Sequence, residues 1–76
     1  MQFPSRNEIE SLRRKYPKDT VVELEHMDDY YAPSPGTRGV VKSVDGMGHI
    51  QVCWDNGSSL ALVPGVDRFH IVEEIL

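Results

Sequence analysis

Two adjacent tyrosines, Tyr30 and Tyr31, follow two adjacent aspartates, Asp28 and Asp29, and precede Pro33 and Pro35. These residue types suit peptide recognition rather than bond making, because aromatic rings grip proline and carboxylates orient a basic side chain. Asp28, Asp29, Tyr30, Tyr31 and Pro33 are therefore the candidate partner-binding residues. Arg13, Arg14, Lys15 and Lys18 form a second group, with the charge to meet a phosphate backbone. They support the alternative reading, a nucleic-acid-binding accessory protein.

Other chemistries find less to work with. His26, His49, His70 and Cys53 are the imidazole and thiol groups of the chain, and they do not form the paired pattern of a zinc motif. Ser58 and Ser59 follow a turn glycine without a local base, and Asp45 and Asp55 sit in turns where aspartate is favoured for local reasons. The sequence thus predicts no catalytic residue, no metal and no cofactor. It predicts a non-enzymatic module that binds a protein or peptide through residues 28–35.

Size and charge limit what can position these groups. A chain of 76 residues buries only roughly 60% of its unfolded surface and has little room for a deep substrate cavity. A lone cysteine cannot form an internal disulfide, and the opening MQFPSRNEIE has no apolar signal-like run. The expectation is a soluble, cytoplasmic protein. Residues 1–18 carry five basic side chains against two acidic ones, whereas residues 19–76 carry three against ten. An acidic body disfavours non-specific nucleic-acid binding and attracts a basic helix.

Ser5-Arg6-Asn7-Glu8 has the spacing of a capping box. Ile9, Leu12 and Tyr16 then recur on one stripe, and Pro17 ends the pattern, so a helix is expected over residues 6–16. Its last-turn cations complement the helix dipole. Phe3 is placed to pack on Ile9 ahead of the cap. A first strand is expected over 20–27, where Val22 and Leu24 alternate with Glu23 and Glu25, followed by a nine-residue loop, 28–36.

The second strand is expected over 37–44. Its inward residues Val41 and Val44 are three apart, which predicts a bulge near Lys42 and Ser43. Ile50, Val52 and Trp54 mark the third strand, with Trp54 in the core and Cys53 half-buried and inert on the opposite side. Asp45-Gly46 and Asn56-Gly57 supply hairpin turns. A fourth strand follows through Leu60 and Leu62, and a fifth over Phe69 to Val72. The expected fold is mainly β: a small five-stranded SH3-like barrel with one N-terminal α-helix. It forms a single domain over 1–76, with the barrel over 20–72 and a tail over 73–76, where Ile75 or Leu76 would close one end of the core.

The runs FPSRNEIESLRRKYP, VELEHMDD, APSPGTRGVVKSVD, WDNGSSL and PGVDRF cover nearly the whole chain. Their pattern, PGTRG followed by VD and WDNGSSL, resembles a small bacterial family of domains of unknown function, found mainly in Gram-positive bacteria and their mobile elements. The resemblance implies an SH3-like fold and bacterial origin. It transfers no functional residue.

Overall fold

A computed structural model describes residues 4–73 of the chain. The expected contacts of Phe3, Ile75 and Leu76 fall outside the described residues. Helix α1 spans Arg6–Lys15, with Ser5 as N-cap. The Ser5 hydroxyl accepts from the Glu8 backbone N–H at 3.2 Å and donates to the Glu8 carboxylate at 3.3 Å, so the box closes through the hydroxyl. Tyr16 caps the other end by donating its N–H to the Leu12 carbonyl at 2.8 Å. No α1 residue is fully buried, but Leu12, together with the C-cap Tyr16, packs against the sheet core.

Four antiparallel strands follow: β1 Val21–His26, β2 Arg38–Val44, β3 Ile50–Trp54 and β4 Arg68–Ile71. Their order across the sheet is β3-β2-β1-β4. The register between β2 and β3 shifts between Val41 and Ser43, which is the expected bulge. The extra residue lets Val41 and Val44 both face inward. They join Val22, Leu24, Ile50, Val52, Trp54 and Leu62 in a buried apolar core, with Met27, Phe69 and Ile71 packed at its margin. Gly39 lies beneath this layer. A Cβ there would stand 2.5 Å from Val52 Cγ1 and 2.8 Å from Trp54 Cε3, so only glycine leaves room for the indole.

The fold departs from the expected barrel by one strand and by its closure. Residues 58–63 make a single bridge, between Leu62 and Ile50, rather than a strand. The hairpin register is nevertheless continuous: Trp54 donates its N–H to the Ser58 carbonyl at 3.0 Å, and Ile50 and Leu62 exchange two bonds of 2.8 Å. Between these points the ladder is interrupted at Leu60. The Leu60 carbonyl accepts from the Trp54 indole Nε1 at 2.8 Å, and its N–H donates to the Ser58 hydroxyl at 3.3 Å. Side chains have taken the groups that would have paired with Val52. Without a continuous strand beyond β3 and with only four residues in β4, the described residues form an open four-stranded sheet.

Candidate functional site

The segment joining β1 to β2 is built as a stalk with a turn at its tip. At the stalk, the Gly36 N–H donates to the Leu24 carbonyl at 2.7 Å, and the Leu24 N–H to the Thr37 carbonyl at 2.9 Å. At the tip, the Ala32 N–H donates to the Asp29 carbonyl at 3.0 Å, closing a turn over residues 29–32. The Asp29 carboxylate also accepts from the Tyr31 N–H at 2.8 Å, which explains aspartate at the first turn position. Tyr30 and Tyr31 are the two central residues of that turn, and both rings are thrown outward. They are 93% and 77% exposed and meet edge to face, with ring centroids 5.0 Å apart and planes at 81°.

Asp28 and Asp29 are exposed beside the rings, so the structure brings four of the five candidate partner-binding residues to one surface. Pro33 is the exception and corrects the sequence reading. It is buried, whereas the two rings beside it are exposed. Proline alternation in a loop carries no period from which its orientation could be read.

The basic cluster is divided. The Arg13 guanidinium donates through Nε and a terminal nitrogen to the Val44 carbonyl, at 3.2 and 3.1 Å, and ties α1 to the end of β2. Arg14, Lys15 and Lys18 are exposed, and Lys15 Nζ stands 5.5 Å from the Tyr16 ring centre. Tyr16 in turn tilts against Phe69 at 5.4 Å. All four cations are exposed, and Arg13 alone is also hydrogen-bonded to the sheet.

The soft-ligand residues do not converge. Among the described residues no group of three or more His, Cys, Asp or Glu side chains is arranged to hold a metal ion. Cys53 is exposed rather than half-buried, because it lies on the face of β3 opposite the core. His70 takes part in a cross-strand arrangement that sequence spacing does not reveal. Its Nδ1 lies 2.9 Å from Glu25 and its Nε2 3.4 Å from Glu23, while Glu23 also meets Arg38 Nε at 3.2 Å. The antiparallel register sets Glu23 between Arg38 on β2 and His70 on β4. The Arg38–Glu23 ion pair is exposed and worth little to stability, and it lies on the outer face of the sheet.

Asp45 is the most fully used carboxylate of the described residues. It accepts from the backbone N–H groups of Met47 and His49 and from the Gln51 amide, each at 2.9 Å. The His49 N–H is the chief reason that its carboxyl is held below the usual 3.8; partial burial opposes this, and the Met47 and Gln51 bonds add to it. Its role is to close the β2–β3 turn, as its place before a glycine suggests. No helix among the described residues is long and apolar enough to cross a membrane.

Comparison with known proteins adds a family and no activity. No curated protein and no solved structure matches the chain. The model of a family described as a domain of unknown function, DUF4314, matches residues 5–72, and the chain belongs to that family.

Proposed function

We propose, since the family description assigns no activity, that the domain is a non-enzymatic protein-interaction module whose contact surface is the 28–35 loop. The observation that carries this reading is the outward display of Tyr30 and Tyr31 from a turn that is itself hydrogen-bonded and anchored. Leaving two large rings in water contributes nothing to folding, whereas preordered aromatics beside carboxylates suit a partner segment that carries proline next to a basic residue. The stalk bonds and buried Pro33 lower the ordering cost of binding, because the loop does not have to be fixed when the partner arrives.

Affinity capture from extracts of the native host, with wild-type protein and a Tyr30→Ala/Tyr31→Ala double variant of matched thermal stability, tests this. At least one protein should be retained by the wild type and lost by the variant. Identical retained sets would remove the reading. The nucleic-acid alternative rests on the exposed cations Arg14, Lys15 and Lys18, with Arg13 held at one edge of its guanidinium by the Val44 carbonyl. It would be favoured by an affinity for DNA or RNA that falls steeply with salt and ignores the tyrosine substitutions.

A further inference from the structure

The sheet has two faces, and α1 packs through Leu12 on the one that holds the core. On the other face the two central strands carry opposite charge. β1 turns Val21, Glu23 and Glu25 outward, alternating with buried Val22 and Leu24, while β2 turns out Arg38, Val40 and Lys42. The register sets these residues in rows. Val21 lies opposite Val40, Val40 lies opposite Cys53 of β3, and Val72, just beyond β4, donates its N–H to the Val21 carbonyl at 2.9 Å. An apolar row therefore crosses the sheet from Cys53 to Val72. Beside it Glu23 lies opposite Arg38.

This arrangement is complementary to itself. The strand order β3-β2-β1-β4 has its centre between β2 and β1. A two-fold axis at that centre, parallel to the strands, lays β1 of one copy over β2 of the other and β3 over β4. Each row then meets the same row reversed. Val21 faces Val40, Cys53 faces Val72, and Glu23 faces Arg38 at two symmetry-related places. We propose that the outer sheet face is the interface between two copies of this chain, packed face to face about that axis. The ion pair within each chain is made through Arg38 Nε, so the terminal nitrogens remain to meet Glu23 of the other copy. An unrelated partner would need a matching alternation of its own, whereas a second copy has it by symmetry. The face is four strands wide, at about 4.8 Å per strand, and about three rows deep, at about 6.8 Å per row, which covers roughly 400 Å² in each copy. A stable complex buries about 800 Å² per partner, so this dimer is weak and forms at high protein concentration. The surface is distinct from the tyrosine loop and does not depend on it.

Sedimentation equilibrium of the full chain at about 0.15 M salt tests this. Screening over about 8 Å then removes the long-range repulsion of two chains that each carry −4, and leaves the facing charges in play. The wild type should approach the mass of a dimer as its concentration rises toward the millimolar range. Arg38→Glu and Glu23→Arg should each weaken association at least about tenfold, because like charges then face each other twice. Each change also breaks the ion pair within the chain, but that pair is exposed, so thermal stability should stay near wild type. An equimolar mixture of the two variants should associate again, since the new carboxylate of one faces the new guanidinium of the other. Within each variant chain the pair stays broken, so this recovery can come only from contact between chains.

Val72→Cys supplies an independent arm. In one chain positions 53 and 72 are three strand spacings apart, about 14 Å, too far for a disulfide, whereas across the axis they face each other. Mild oxidation should link Cys53 of one copy to the introduced thiol of the other. A monomer at millimolar concentration, a mixture no more associated than its components, or failure to link positions 53 and 72 would overturn the proposal. The Tyr30→Ala/Tyr31→Ala variant should associate as the wild type does, and loss of association there would place the contact on the loop and overturn it too.

Discussion

The two connections that flank β2 use aspartate in opposite ways. In the turn from β2 to β3, Asp45 takes three hydrogen bonds into its carboxylate, and the neighbouring Gly48 is buried against the helix. In the loop from β1 to β2, Asp29 takes one, from Tyr31, and the turn it stabilises carries two rings into solvent. The first connection turns its polar groups inward to finish the fold. The second uses a similar local device to hold apolar surface away from the fold. The difference separates residues that folding explains from residues that it leaves free for another purpose.

The folding side of this contrast is broken most directly at Leu62. It is fully buried although its segment makes one bridge only, so its contribution comes from packing rather than from strand pairing. Leu62→Ala should cost about 3 kcal/mol, the range for a large buried aliphatic residue whose cavity cannot collapse. Chemical denaturation measures this, and a loss below about 1 kcal/mol would mean that residues 58–63 are detached from the core in solution. A smaller effect is expected from the opposite change in volume. Gly39→Ala places a methyl against Val52 and Trp54 and should cost about 2 kcal/mol through overpacking, with altered tryptophan fluorescence as a second readout.

These positions also show what the sequence made legible. The three-residue spacing of Val41 and Val44 announced the bulge, since inward residues in a regular strand are two apart. Ser5, Glu8 and Pro17 bracketed the helix by capping chemistry that acts within a few residues. The expected fourth strand misled because alternation through Leu60 and Leu62 reports burial, while strand formation needs backbone partners, and Trp54 and Ser58 had taken those of Leu60. Arg13 was grouped with its basic neighbours because its acceptor, the Val44 carbonyl, is remote in sequence. At the candidate site the residue types were legible and their orientation was not. Tyr30 and Tyr31 face out and Pro33 faces in, and only the turn over 29–32 decides this.

The Asp45 turn can be tested by pH as well as by mutation. Its carboxyl titrates lower in the folded chain than its ordinary 3.8, first because of the His49 N–H, so the charged form is bound more tightly by the folded state. The stabilisation is whole above the unfolded value and is lost as pH falls through the folded value. Asp45→Asn removes the titration and sets an amide against the Gln51 amide. Near neutral pH it should be less stable than the wild type by about 1 kcal/mol. That gap should close below pH 3.8, the ordinary value that the folded carboxyl undercuts. A gap that persists unchanged into strong acid would show that the turn depends on shape rather than on the carboxylate.

The smallest expected effect on stability is the one that decides the contrast. Tyr30 and Tyr31 touch each other more than they touch the body, and the turn that carries them is held by backbone groups and by the Asp29 carboxylate. Replacing both with alanine removes an edge-to-face pair but empties no cavity, so stability should change by no more than about 0.5 kcal/mol. The Tyr31 N–H and the Asp29 carboxylate that cap the turn are kept in the variant, so amide exchange at residues 31 and 32 should remain near wild type. A large loss of stability would mean that the rings fold back onto the sheet in solution, and the loop would then join the Asp45 turn as part of the frame. An unchanged fold would leave two aromatic side chains at the tip of an ordered stalk with no structural task, which is the condition that a contact surface requires.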